Sequence, residues 1–131
     1  MPLHVELVSP ERLLYEGEAS QVDARTTEGE IGFQPGHIPF VGALLPWSVR
    51  VHGADGSEQR IAVHGGFVEL SNDHLMLLSD IAELAEDIDV PRAEAAKGRA
   101  QEALAADEDD EKAQAALARA NARLRAAGVL V

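Results

Sequence analysis

Two residue patterns with different periods share this chain, and they meet close to residue 88. Before it, short runs of alternating apolar and polar residues are cut by Gly and Pro; after it, alanine dominates and apolar residues recur three and four apart. A period of two suits strands and a period near 3.6 suits helices, so one architecture cannot use both halves. The pattern predicts an α+β chain. An N-terminal antiparallel β-sandwich or barrel is expected over residues 1–87, and a C-terminal two-helix antiparallel hairpin over residues 88–131.

In the first half, Leu3–Val8 alternates Leu, Val and Leu with His and Glu and stops at Ser9-Pro10, which reads as a strand and a turn. Short strands are expected over Arg12–Tyr15, Glu18–Thr27 and Glu30–Phe33, with breaks at Glu16-Gly17 and Glu28-Gly29. Trp47–His52 and Ser57–Val63 flank Gly53-Ala54-Asp55-Gly56 as a hairpin, and Gly65–Leu70 and His74–Leu78 flank Ser71-Asn72-Asp73. Many short strands so spaced imply a sandwich or barrel. The stretch from Thr27 to Phe40 is the most tightly specified, with three glycines and two prolines inside eleven residues. Gly29 and Gly36 are placed for positive φ, while Pro35 and Pro39 fix φ and keep their neighbours out of a helix. A rigid double turn should result, with Ile31 and Phe33 pointing inward and Glu30 and His37 near the surface.

In the second half, Asp89 can cap a helix whose first turn tolerates Pro91, which predicts a helix over about Val90–Ala105. Asp107-Glu108-Asp109-Asp110 makes a polar turn and sets acid at the start of a second helix, expected from about Glu111 to Ala127 with Gly128 as its stop. Ala93, Ala96, Ala100, Ala103 and Leu104 form one stripe, and Ala113, Ala116, Leu117, Ala120 and Leu124 the other. Methyl-sized groups contribute about 0.8 kcal/mol each, so such a hairpin coheres marginally and can separate or repack. Gly98 in the first helix costs about 1 kcal/mol relative to Ala.

Net charge is −12, and it is uneven: residues 1–87 carry four Lys/Arg against fifteen Asp/Glu, and residues 88–131 seven against eight. An acidic β unit repels phosphate backbones and anionic lipid, so no nucleic acid is expected as a partner and a basic protein surface is. No apolar run approaches the roughly eighteen residues a span requires, so no direct membrane insertion is expected. Met1-Pro2-Leu3-His4-Val5-Glu6 lacks the basic and apolar regions of a secretion signal. The absence of cysteine excludes disulfides and thiolate metal sites. His4, His52, His64 and His74 show no i, i+4 or facing-carboxylate spacing, so no metal is expected. Ser48, Ser57, Ser71 and Ser79 lie in no nucleophile elbow, and Gly65-Gly66 lacks the lysine and helix of a phosphate-binding loop. A catalytic role is therefore not expected.

Glu28-Gly29-Glu30-Ile31-Gly32-x-x-Pro35-Gly36-His37-x-Pro39 follows Leu7-Val8-Ser9-Pro10-Glu11 with Gly17 downstream, and precedes Val63-His64-Gly65-Gly66-Phe67-Val68-Glu69. In that order, with an Ala-rich hairpin behind it, the set resembles the epsilon subunit of bacterial F-type ATP synthases over nearly the whole chain. The resemblance implies a non-catalytic rotor-stalk subunit, peripheral at the cytoplasmic face of the bacterial cell membrane. It implies docking of the β-sandwich on the gamma subunit and on the c-ring of the proton-translocating complex. It also implies a hairpin that lies folded on the sandwich or extends to the catalytic beta subunit and restrains ATP hydrolysis. Glu30 takes the family's ring-contact position, with His37 close by; as residues alone, the two read equally well as a solvated turn acid and a turn-capping side chain.

Ile88-Asp89-Val90-Pro91-Arg92-Ala93 matches I/L-D-x-x-R-A, which in several bacterial members of the resembled family marks ATP binding by the folded hairpin. Arg99 follows Arg92 by two helical turns, and Arg119 and Arg123 share a face of the second helix. Four guanidinium groups on two antiparallel helices could converge on one polyphosphate, which would lift the mutual repulsion of each like-charged pair. Motif and chemistry together assign Arg92, Arg99, Arg119 and Arg123 to the phosphates, and Glu83, Ile88, Asp89 and Ala93 to the adenine and ribose end. ATP would be a regulatory ligand, with no cofactor and no magnesium required. The plainer reading leaves Asp89 as an N-cap and the arginines solvated or facing an acidic segment of the catalytic subunit. For the whole chain, the competing class is a freestanding β-sandwich adaptor with a helical arm, binding a basic protein and no nucleotide.

Overall fold

Alternation sets the first layer: Leu3, Val5 and Leu7 are buried while His4 and Glu6 between them face outward. In the computed structural model, which describes residues 2–130, ten strands precede two helices. The strands are β1 (Leu3–Val8), β2 (Leu13–Ala19), β3 (Gln21–Thr26), β4 (Gly29–Phe33), β5 (Phe40–Leu44), β6 (Trp47–His52), β7 (Glu58–Val63), β8 (Gly66–Ser71), β9 (His74–Leu78) and β10 (Ala82–Leu84). A 3₁₀ turn over Ala85–Asp87 leads to α1 (Val90–Ala106) and α2 (Glu111–Ala126). The strands hydrogen-bond in the order β10-β7-β6-β3-β5-β8-β9-β1-β2, with β4 beside β3, and curl around one core of Val, Leu, Ile and Phe33.

The expected sandwich is present, as is the double turn: Gly29 and Gly36 have φ of 113° and 85°, Phe33 is fully buried, and Ile31 packs against the core. Asp73 Oδ1 accepts from Gly36 N at 2.8 Å and ties that turn to the β8–β9 hairpin. The run expected over Glu18–Thr27 is divided at Ser20 between β2 and β3, and three further strand expectations need correction. The first concerns Gly17, which does not break β2: it pairs with Val5 in mid-ladder, because an unbranched backbone position keeps both hydrogen-bonding groups. The second is β5, which follows Pro39 without alternation and goes unread because Val41 on its outer face is apolar and 73% exposed. The third is that one pair in the sheet is parallel, β1 with β9, so that His74 stands beside His4. The long excursion through β2–β8 supplies the crossover that parallel pairing needs. It also overturns the expectation that the histidines lack facing carboxylates, since Glu6 lies 3.2 Å from Nε2 of both.

The hairpin forms as expected and lies folded on the sheet. Asp89 accepts from Arg92 N and Asp110 from Ala113 N, each satisfying an otherwise free amide at a helix start. At the far end Gly128, at φ 81°, closes a Schellman motif in which its N–H reaches Arg125 O and Val129 N reaches Leu124 O. Of the expected stripes, Ala93, Ala100, Ala113, Ala120 and Leu124 are buried. A second buried face on α2, Ala122 and Ala126, was not anticipated. It arises because α2 is sandwiched between α1 and the outer face of β6 and β7. Ile61, Val63 and Val49 face the core, so Ser48 and Ala62 between them point the other way, forming a floor of small residues that lets α2 approach closely. Trp47 closes the edge of this contact, with the guanidinium of Arg25 4.5 Å from its ring centre and that of Arg125 at 4.2 Å. Gly98 has open space where a Cβ would stand, so packing does not require it there.

Candidate functional site

A cleft of about 430 Å³ opens where α1, α2 and β10 meet, within the roughly 300–1,000 Å³ of small-molecule sites. Glu83, Asp89, Arg92, Ala93, Arg99 and Arg123 line it, joined by Asp87 and Ala96. These residues come from four elements, and each is placed by something local. Asp89 is held as the α1 N-cap, Arg92 and Arg99 stand two turns apart on α1, and Glu83 sits on β10 opposite Ala62 of β7. Among the described residues neither Arg92 nor Arg99 is ion-paired. The cleft therefore offers two uncommitted guanidinium groups beside a third, Arg123, that is already engaged.

Arg123 Nε donates to Glu83 Oε1 at 2.6 Å, and His64 Nε2 approaches the same oxygen at 3.3 Å. This trio joins the sheet to α2, and it is partly enclosed: Arg123 is 29% exposed, Glu83 28% and His64 only 2%. Burial alone would raise the Glu83 carboxyl, but the Arg123 hydrogen bond and charge, with the His64 hydrogen bond, outweigh it and hold the group below its usual range. Burial, and after it the Arg123 charge, hold the His64 imidazole below its ordinary value despite Glu83; Arg119 adds in the same direction. Docking thus disfavours the charged form of His64, whose ordinary value is 6.5.

The sign of the pH dependence follows. Below 6.5 the undocked form binds the extra proton, so docking is strongest above that pH and weakens as pH falls toward the depressed value of the docked imidazole. Glu83, also depressed, adds a further loss only below its ordinary 4.5. Hydrogen exchange of α2 amides, corrected for intrinsic rates, should show protection falling between about pH 7 and pH 5. In His64→Gln that decline should flatten; an unchanged profile would remove His64 from the account.

Two residues expected at the nucleotide site lie outside the cleft lining. Ile88 ends the 3₁₀ turn half-buried, its N–H on Ala85 O, and Arg119 lies one turn before Arg123 with its charge acting on His64. Glu30 is exposed on β4 opposite Arg25, whereas His37 lies past the end of β4 with its ring 5.4 Å from Phe33 and edge-on to it. His64 itself gave no sequence signal as a site residue, because its partners are brought to it only by β10 pairing with β7 and by the docking of α2.

A larger groove, about 830 Å³, runs past Asp23, Glu30, Trp47, Arg50, Arg60 and Arg125. Its arginines are committed, Arg50 to Asp23 at 3.4 Å, Arg60 to Glu58 at 2.8 Å and Arg125 to the Trp47 ring. The smaller cleft, where Arg92 and Arg99 are unpaired among the described residues, is the stronger candidate. Elsewhere, the outer face of β5, β8 and β9 exposes Val41, Phe67 at 60% and Leu78 around a single acid, Glu69, with Ile38 at 74% just before β5. Exposed apolar patches of this kind mark attachment surfaces.

Fold and cleft together define a class: a β-sandwich carrying a folded helical hairpin, with a cleft of three arginines and three acids where the two meet. Residues 2–85 match the family model of the β-sandwich domain of the ATP synthase delta/epsilon chain, and residues 86–128 that of its long α-helix domain. The chain belongs to the ATP synthase delta/epsilon chain family. Over 129 residues it is 54% identical to the ATP synthase epsilon chain of Thermobifida fusca, covering 95% of this chain and 91% of that one. It is 48% identical to the epsilon chain of Streptomyces griseus over 97% of this chain and 96% of its relative. Among solved structures, a chain of the Euglena gracilis mitochondrial ATP synthase assembly superposes with a TM-score of 0.82 at 23% identity, covering 96% of this chain and 81% of that one, which shows the shared fold. No helix among the described residues is long and apolar enough to cross a membrane.

Proposed function

We propose that this chain is a central-stalk rotor subunit of a bacterial F-type ATP synthase, a non-catalytic part of the proton-translocating complex that regulates ATP hydrolysis through its hairpin. Its β-sandwich attaches to the gamma subunit and the c-ring at the cytoplasmic face of the membrane. The exposed apolar face of β5, β8 and β9 supports attachment, and Glu30 and His37 are the proposed ring contacts. ATP is the proposed ligand of the cleft. It holds the hairpin folded and away from the catalytic beta subunit.

The observation that carries the ATP reading is the convergence of unpaired Arg92 and Arg99 with Arg123 in a cleft built from both domains. Such a cleft exists only while the hairpin is docked, so any ligand bound there stabilises the docked form. At ten times its dissociation constant, ATP would add about 1.4 kcal/mol to docking and change the balance about tenfold. Calorimetric titration of the intact chain with ATP should show one site. Arg92→Ala and Arg99→Ala should each weaken it at least about tenfold, since charge-assisted bonds contribute about 1.5–3 kcal/mol. Neither residue holds the hairpin to the sheet, so these variants report on the ligand alone. No heat up to millimolar ATP would overturn the ATP reading and leave the stalk assignment standing.

A further inference from the structure

At the far end of the strand order from β6 and β7, where α2 docks, β1 takes part in two ladders at once. Parallel pairing sets His74 of β9 beside His4, and antiparallel pairing sets Glu16 of β2 opposite Glu6. Leu3, Val5 and Leu7 enter the core, so His4 and Glu6 stand on the solvent face with those neighbours. His4 Nε2 lies 3.2 Å from Glu6 Oε1 and 3.0 Å from Glu16 Oε2, and His74 Nε2 lies 3.2 Å from the same Glu6 oxygen. The ligand-type atoms of His4, Glu6 and His74 all lie within 4.8 Å of one another.

We propose that His4, Glu6, Glu16 and His74 form a binding site for one divalent transition-metal ion of the zinc class. His4, Glu6 and His74 form the clustered core of the site, and Glu16, 3.0 Å from His4 Nε2, supplies a fourth ligand on closing around a tetrahedral ion; the three contacts of 3.0–3.2 Å are near the spacing such an ion needs. With metal–ligand bonds of 2.0–2.2 Å, the edge of a coordination tetrahedron is about 3.3–3.6 Å. Imidazole donors favour zinc, cobalt or nickel over calcium and magnesium, which take oxygen ligands. The arrangement is also electrostatically one-sided. Glu6 and Glu16 stand directly opposite each other on neighbouring strands, and Glu18 stands opposite His4. Facing like charges are destabilising in a sheet, and a bound dication would offset them. The four groups come from three hydrogen-bonded strands, so the ion would clip the edge strand β2 to β1 and β9 with little reorganisation. This site is independent of the nucleotide cleft and of the hairpin.

The test uses the intact chain without an added histidine tag. Zinc titrated by calorimetry should bind one ion per chain, cobalt should develop the visible absorption of a tetrahedral nitrogen–oxygen site, and magnesium should give no heat. His74→Ala and Glu6→Gln should each weaken zinc binding at least about tenfold, the lower bound already found when mere outer-shell partners of a metal are lost. Zinc should also raise the thermal midpoint of the parent chain and not of His74→Ala. Absence of binding, or zinc binding of parental strength in both variants, overturns the proposal. Because both substituted side chains lie on the outer face, circular dichroism separates loss of the site from loss of the fold.

Discussion

Gly66→Ala should destabilise the β-sandwich by about 4 kcal/mol, the sum of backbone strain and overpacking of about 1–3 kcal/mol each taken near the upper end. Gly66 opens β8 at φ 121°, and a Cβ there would overlap the carbonyl oxygen of Leu78 on β9. Neither partner can yield cheaply: Leu78 pairs with Phe67, and Gly66 pairs with Leu44 of β5. Gly65 provides the internal control. It too has positive φ, 94°, but its nearest neighbour across space would be the Leu44 carbonyl oxygen at 3.9 Å. Gly65→Ala should therefore cost only the conformational part, about 1–2 kcal/mol. Denaturant midpoints of the two variants measured side by side decide the matter, and equal losses would refute the steric account.

Arg123→Ala should release the hairpin from the sheet by about 2 kcal/mol at pH 8, a change of about 30-fold in the docked-to-undocked ratio. The bond it removes is charge-assisted and partly enclosed, and its loss strands the Glu83 carboxylate beside His64. The imidazole is then relieved of the cation that helps depress it and left with the anion that raises it. In this variant His64 should protonate more readily and offset the stranded charge of Glu83 as pH falls. The deficit relative to the parent should accordingly shrink toward about pH 6 and be largest at alkaline pH. Protection of α2 amides against exchange gives both quantities. A deficit constant across pH would mean that His64 and Arg123 act separately.

Much of this architecture is legible in residue order, where one physical rule governs one element. β1 and β9 alternate between core and outer face, and the turns at Gly29, Gly36 and Gly128 need a left-handed residue. β5 escapes because its outward Val41 belongs to an apolar surface, and alternation cannot distinguish such a face from a core face. The docking face of α2 escapes for another reason. When alanine occupies nearly every position, Ala122 and Ala126 carry no more signal than the alanines left in solvent. The cleft was readable as far as helical spacing reaches, since Arg92 and Arg99 share a face by arithmetic. The convergence of Glu83, His64 and Arg123, like that of His4 and His74, depends on which strand pairs with which, and spacing along the chain does not encode it.

Trp47 is the chain's single tryptophan, and the guanidinium that covers one side of its ring, Arg125, belongs to α2, across the docking interface. Indole emission responds to nearby charge and to water, so any release of α2 from the sheet would register in the intrinsic fluorescence of the unmodified chain. An optical trace of the hairpin, in real time and without a label, is a property the fold supplies by where it places one side chain.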